Sequence, residues 1–167
     1  MKVLGYIDKI SEWTGIFSAW IIIPLLFVVV YEVVMRHFFN APTRWGYDTC
    51  WMLYSLQFMI GGAYTLLKKG HIRIDIVYNV LSPRAKLIFD TIIYAVVILF
   101  VMILFTWAGI RFAAMAWIAG EKLSTTNWFF PSGPSKTIIP VAFFLLGLQC
   151  LAELIRNIKL LIKGKER

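Results

Sequence analysis

Four long stretches of this sequence carry no charged side chain. They contain 19, 19, 20 and 16 residues and lie between Glu12 and Glu32, Asp48 and Lys68, Asp90 and Arg111, and Lys136 and Glu153. A helix rises about 1.5 Å per residue, so about 20 residues cross the roughly 30 Å of hydrocarbon in a bilayer. The sequence therefore predicts an all-α membrane protein with four transmembrane helices, at about 14–35, 46–67, 87–112 and 137–156.

The composition agrees with this prediction. Of the 167 residues, 60% are hydrophobic and only 16% are charged, which is less charge than the surface of a soluble domain requires. Because the connections are short, we expect residues 1–167 to form one four-helix membrane domain. Tyr31 and Glu32 follow the first stretch, where a signal peptide would have small residues for cleavage, so we expect that stretch to remain as the first span.

The distribution of Lys and Arg predicts the orientation. Of the 17 positive residues, 12 lie in the N-terminal segment, the second connection and the C-terminal segment. Because cytoplasmic loops are enriched in Lys and Arg, we expect both termini and the second connection in the cytoplasm. Positive residues spread over three flanking segments fit contacts with phospholipid headgroups, and they do not form the single basic face that nucleic-acid binding requires.

Short interfacial helices are predicted beside the spans. Val3, Leu4, Ile7 and Ile10 share one helical face ahead of the first span. A second short helix is expected after Asp75, and the pair Ser82-Pro83 is typical of the start of the next helix. Gly120 is the expected end of the third long helix, which should continue past the last uncharged residue.

The first connection contains several polar candidates. Glu32 and Arg36, four residues apart, either pair within the helix or reach a partner. Thr43 can cap the second long helix, Trp45 suits the headgroup layer, and Asp48 suits the positive end of the helix dipole. Pro24, in the middle of the first span, predicts a kink; we favour a static kink over a gating hinge.

Residues for catalysis or cofactor binding are not grouped in this sequence. His37 and His71 belong to opposite ends of the predicted bundle, so they cannot ligate one haem iron, and the two cysteines cannot build a zinc site. The strongly polar groups within the spans are Gln57 and Gln149, which we expect to bond across helices, inside this subunit or to a partner, and not to line a pathway. We predict a protein that is not an enzyme and holds no cofactor or metal.

Two other classes of protein are weighed against a scaffold role. A small four-helix exporter would need a carboxylate midway along its first helix, whereas Glu32 lies at the end of that helix. An anchor or assembly subunit of another membrane complex, of the kind that binds haem or quinone, would need histidines at matched depth.

Several blocks of the sequence resemble a known family. They are the run from Tyr31 to Trp45 with its Phe-Asn-Ala-Pro-Thr block, Gly62-Ala63-Tyr64, Gly70-His71-Ile72-Arg73-Ile74-Asp75, Ser82-Pro83-Arg84, Gly120-Glu121, Ile139-Pro140 and Leu148-Gln149. In order and spacing they resemble the DctQ-type small membrane subunit of tripartite ATP-independent periplasmic (TRAP) transporters. The chain departs from that pattern at Asp48, where the family often has Glu, and at His37, where it has an aromatic residue.

The resemblance implies an accessory role. The partners would be a large membrane subunit of the DctM type, which carries a small organic acid with sodium, and a periplasmic substrate-binding protein of the DctP type. The small subunit would scaffold the large one and aid docking of the periplasmic protein. The residues expected at subunit interfaces, at lipid headgroups or in local loop structure are Glu32, Arg36, Trp45, Asp48, His71, Arg73, Asp75, Glu121 and Gln149.

Overall fold

The protein is a bundle of long helices. The computed structural model describes residues 2–70, 82–123 and 128–162, and within these ranges it contains no β-strand. The helices are α1 (Lys2–Trp20), α2 (Ile22–His37), α3 (Gly46–Leu67), α4 (Pro83–Ile92), a π-helical segment (Ile93–Ile98), α5 (Leu99–Ile118) and α6 (Gly133–Ile162). Helix α6 is central, because it packs against α1, α3 and α5, while α2 packs mainly on α3.

A single residue, Ile21, separates α1 from α2. Pro24 has no N–H to donate to the carbonyl of Trp20, and the helix breaks at Ile21, which donates to Ser18 O at 3.2 Å instead. The helix resumes where Leu25 N donates to Ile21 O at 3.1 Å. The helical hydrogen bonding is therefore interrupted about one turn ahead of Pro24, and the kink itself stays a prediction.

The N-terminal segment differs from the prediction in one respect. The expected interfacial helix and the beginning of the first span form one helix, α1, because none of the residues from Ser11 to Thr14 interrupts helical hydrogen bonding. The second interfacial helix, predicted after Asp75, falls in 71–81 and lies outside the described residues.

Two helix ends are where the sequence predicted them. The Ser82 hydroxyl accepts a hydrogen bond from Ala85 N at 3.3 Å, which caps α4. At the other end, α5 stops at Ile118 and Gly120 adopts a φ of +58°, while Glu121 N donates to Ala116 O at 3.0 Å. The prediction that this helix outruns its uncharged stretch is also confirmed.

Small residues occupy much of the contact surface between the helices. Ala63, Ala113, Ala116, Ala142 and Ala152 are all buried. Helix α1 meets α3 tightly at Gly15, where an added Cβ would lie 2.2 Å from Cγ of Tyr64. Such small-residue contacts let helix backbones approach closely, which is typical of membrane helix packing.

Three helical runs are long and apolar enough to cross a membrane. They are Val3–His37, Arg84–Ile118 and Gly133–Ile162, judged by length and composition among the described residues. Helix α3 coincides with the predicted second span at 46–67 but is not one of these three runs. The all-helical fold is thus confirmed, whereas the fourth crossing stays a prediction. The helix predicted to begin near 137 begins at Gly133, which places Pro140 inside α6 and not at its start.

Candidate functional site

A polar network joins the first helix to the last. The amide of Gln149, which is 0% exposed, accepts a 2.8 Å hydrogen bond from the Ser11 hydroxyl at Oε1. Its Nε2 donates to Asp8 Oδ1 at 3.2 Å. The cross-helix hydrogen bonds predicted for Gln149 are therefore present, and they run from α6 to α1.

Arg156 extends the same network. One guanidinium nitrogen of Arg156 pairs with Asp8, and the other donates to Glu153 Oε1 at 2.6 Å. A guanidinium has enough donors to bond both carboxylates, and its charge offsets part of theirs where water is excluded. Asp8 and Arg156 thereby bring the N-terminal part of α1 to the C-terminal part of α6.

Four members of this network were not predicted from the sequence, although a signal existed: Asp8, Ser11, Glu153 and Arg156. Gln149, Glu153 and Arg156 are spaced by four and three residues, so they share one face of α6. Asp8 and Ser11 likewise share a face of α1. Polar residues at helical spacing beside a membrane span indicate a contact between helices.

At the opposite end of the bundle, Glu32 links α2 to the connection that follows it. Its Oε1 accepts from Arg36 at 2.9 Å, and its Oε2 accepts from both the backbone N–H, at 3.2 Å, and the hydroxyl of Thr43. The Thr43 hydroxyl in turn accepts from Gly46 N at 3.1 Å, which satisfies an N–H in the first turn of α3. Glu32 therefore makes the intrahelical pair and also fixes the connection.

Trp45 and Asp48 lie near this cluster. The Trp45 ring stacks on Tyr31, with 5.7 Å between the centroids. Asp48 is 3% exposed and lines a cavity of about 440 Å³ together with Leu123 and Ser135. Trp45 thus packs against α2, and Asp48 faces the connection between α5 and α6 and the first turn of α6.

Glu121 belongs to the connection between α5 and α6. Its carboxylate forms a 2.5 Å ion pair with Lys136, and its carbonyl accepts from Ser132 N at 2.8 Å. The Lys136 ammonium also lies 4.1 Å from the centroid of the Phe112 ring. In this structure Glu121 stabilises the local chain path, like Glu32.

The remaining candidates, His71, Arg73 and Asp75, lie outside the described residues. The structure therefore brings Glu32, Arg36 and Trp45 to one connection, places Asp48 and Glu121 beside the connection that follows α5, and puts Gln149 in the network at the other end. In the ranges 2–70, 82–123 and 128–162, no three His, Cys, Asp or Glu side chains are grouped so that they could hold a metal ion.

An open groove of about 1020 Å³ lies where α1, α2, α3 and α6 meet. Its lining is mostly apolar, and Gln57 is the most polar side chain in it. Within the described residues, 2–70, 82–123 and 128–162, the Gln57 side chain makes no hydrogen bond. The two glutamines that the sequence singled out thus differ: Gln149 is satisfied inside the bundle, and Gln57 faces the groove.

These features define a class of protein: a helical, multi-pass membrane protein whose polar side chains connect helices and loops. The family model described as tripartite ATP-independent periplasmic transporters, DctQ component, matches residues 25–160. The chain belongs to this family and is a small membrane component of a TRAP transporter.

One curated relative is the sialic acid TRAP transporter permease protein SiaT of Haemophilus influenzae (strain 86-028NP). It is 23% identical to this chain over 144 residues, which cover 85% of the chain and 23% of the relative. The chain therefore spans less than a quarter of the length of the curated relative that it matches.

Proposed function

We propose that this chain scaffolds the large, DctM-type subunit of a TRAP transporter and helps a DctP-type periplasmic protein to dock. The complex would take up a small organic acid together with sodium. The observation that carries the proposal is the family match over residues 25–160. Sodium and cargo would travel through the large subunit, and the present chain would hold that subunit in place.

The placement of charge supports a scaffold role. A pathway for ions or protons requires ionisable groups at membrane depth, where they are costly to bury. In this chain the charged side chains all lie outside the four uncharged stretches of 16 to 20 residues. The polar network around Gln149 is occupied with hydrogen bonds between α1 and α6. Neither feature offers a path across the bilayer.

The orientation follows from the positive residues. The segments rich in Lys and Arg would lie in the cytoplasm. Both termini and the region from Arg73 to Lys86 would then be on the cytoplasmic side of a bacterial inner membrane. The periplasmic side would then carry Glu32 with its partners Arg36 and Thr43, together with Trp45 and Glu121. Arg36 is exposed there and available to phospholipid headgroups or the docking protein. On the inner side, His71, Arg73 and Asp75 would contribute to assembly with the large subunit.

Co-expression tests the proposal directly. A tagged form of this chain is expressed with a DctM-type membrane subunit and a DctP-type substrate-binding protein from the same organism, and the complex is purified in mild detergent. We expect the large subunit to copurify in a fixed ratio, and deletion of this chain to abolish uptake by cells. Full uptake by the large subunit and binding protein without this chain would contradict the scaffold role.

A further inference from the structure

The groove between α1, α2, α3 and α6 has a shape and a chemistry that the bundle itself leaves unused. One wall is a face of α3 with Tyr54, Gln57, Phe58 and Gly62, and α6 contributes Ala142 and Leu146. The rings of Tyr54 and Phe58 stack on each other on this wall, with 6.1 Å between centroids.

Gln57 lies near the middle of α3. It is the twelfth of 22 residues, about 16 Å along the axis from the first, and its stretch is uncharged from Asp48 to Lys68. A primary amide can donate two hydrogen bonds and accept two. Acyl chains at this depth can neither donate nor accept, and an unsatisfied amide in hydrocarbon is costly. An occupant that offers polar groups is therefore favoured over lipid tails.

Gly62 leaves room for a close approach. An added Cβ at Gly62 would meet nothing within 4 Å, whereas at the neighbouring Gly61 it would lie 3.1 Å from Ser18 Oγ. Gly61 is thus used in packing α3 against α1, and Gly62 faces open space. Small residues at such positions allow another helix backbone to approach and to exchange hydrogen bonds with polar side chains.

The exposed surface of α2 provides a contrast. None of its residues is buried, and its exposed side chains include Leu26, Phe27 and Val30, which have no hydrogen-bonding groups. A surface of this kind is satisfied by lipid tails. The two surfaces of the same bundle therefore differ in what they require: α2 requires only an apolar neighbour, and the groove also requires hydrogen-bond partners.

We propose that the groove receives a transmembrane helix of the large membrane subunit, with Gln57 bonding a polar side chain or a carbonyl of that helix. This inference rests on the proposed function. The relative from Haemophilus influenzae supports the choice of occupant, because the matched unit makes up only 23% of its length and is joined to a much longer polypeptide. A transmembrane helix can present both the apolar surface and the polar groups that this groove accepts.

Photocrosslinking tests the occupant with a matched pair of positions. Phe58 in the groove is 73% exposed and Phe27 on α2 is 72% exposed, so either can be replaced by the photoreactive p-benzoyl-phenylalanine with equal access. In the purified complex we expect position 58 to crosslink to the large subunit and position 27 to lipid. A crosslink from position 58 to lipid or to a second copy of this chain, in an intact complex, would overturn the proposal.

Substitutions supply a second, quantitative test. Gln57→Leu makes the groove more suitable for lipid and removes its hydrogen bonds, so we expect association of labelled subunits in proteoliposomes to weaken about 3-fold to 30-fold. Gly62→Leu should weaken association by obstruction, and Gly5→Leu is its control, because a Cβ at Gly5 also meets nothing within 4 Å. Unchanged association in both groove variants would overturn the proposal.

Copurification of the unmodified chain with the large subunit distinguishes a failure of the groove assignment from a failure of the proposed function. If it copurifies with the large subunit while position 58 contacts only lipid, the groove assignment is wrong and the proposed function stands. If it does not copurify, the proposed function fails and the groove assignment fails with it.

Discussion

The Ser11 hydroxyl of α1 donates a 2.8 Å hydrogen bond to the amide oxygen of Gln149 on α6, across 138 residues of sequence. Both side chains are buried, at 2% and 0% exposure. In a bilayer, apolar side chains gain little by leaving lipid for the bundle interior, so polar contacts and close packing between helices carry more of the association. The bond therefore contributes to the position of α1 in the bundle.

Replacement of Gln149 by Leu should destabilise the isolated subunit. The change leaves the Ser11 hydroxyl and one oxygen of Asp8 without these partners, at a cost of about 1 to 2 kcal/mol. We expect the midpoint of thermal unfolding in detergent to fall by about 2 to 8 °C. Circular dichroism or a tryptophan fluorescence melt measures this change.

Gln57→Leu is the control for that experiment. The chemical change is the same, but the Gln57 side chain makes no hydrogen bond within the described ranges of the chain. Its unfolding midpoint should stay within about 1 °C of the unmodified chain, consistent with a surface change of less than about 0.5 kcal/mol. Equal loss of stability in both variants would contradict the distinction between the two glutamines.

Glu32→Ala should release the connection between α2 and α3. Glu32 accepts hydrogen bonds from both the N–H and the hydroxyl of Thr43, and these bonds hold the chain that enters α3. We expect the amide hydrogen of Thr43 to exchange with solvent about 10-fold faster, which corresponds to the loss of about one hydrogen bond. Hydrogen exchange followed by NMR in micelles measures the rate.

Arg36→Ala separates the ion pair from the loop contact. Arg36 is 58% exposed and bonds the other carboxylate oxygen of Glu32, so its removal should change the exchange of Thr43 by less than about 3-fold. An effect as large as that of Glu32→Ala would mean that the ion pair, and not the bonds to Thr43, holds the connection.

Gly15→Ala should separate α1 from α3. The added Cβ would lie 2.2 Å from the Tyr64 ring, so one of the two helices must move, at a cost of about 1 to 3 kcal/mol. Gly5→Ala, where the Cβ meets nothing within 4 Å, should instead leave stability unchanged or raise it by about 0.5 to 1 kcal/mol. Thermal melts of both variants check this, and a neutral Gly15→Ala would show that the two helices are not in close contact.

The double substitution of Arg73 and Asp75 by Ala tests the inner connection. We predict that these residues shape this segment for assembly, and so expect less large subunit to copurify and uptake to fall in proportion. The measurement is the recovered ratio of the two subunits together with cellular uptake. An intact complex with full uptake would count against the prediction.

The helix ends were predictable because their signals are local. Ser82 caps α4 through its hydroxyl and Gly120 ends α5 beside a backbone bond, each within a few residues, so a short window of sequence contains the cause. Pro24 likewise predicted a break, and the structure places it at Ile21 because the missing N–H affects the turn before the proline. No comparable local signal marks the π-helical segment Ile93–Ile98.

The buried faces were harder to predict, for a physical reason. In α1 the residues that pack are Ser11, Gly15 and Ser18, which are buried, whereas Val3 and Ile10 of the apolar face are exposed. In a bilayer an apolar side chain is accommodated equally well facing the lipid or facing the bundle interior. Small and polar residues therefore mark the packed face. The pairing of Asp8 with Arg156 depends on the packing of α1 against α6, which short sequence patterns do not specify.

Solute flux through proteoliposomes tests the central claim most directly. The purified chain is reconstituted alone, and together with the large subunit and the loaded substrate-binding protein, under an inward sodium gradient. We predict no flux of organic acid or sodium above empty liposomes for the chain alone, and substrate uptake driven by the gradient for the complete system. Saturable flux through the chain alone would contradict its assignment as a scaffold.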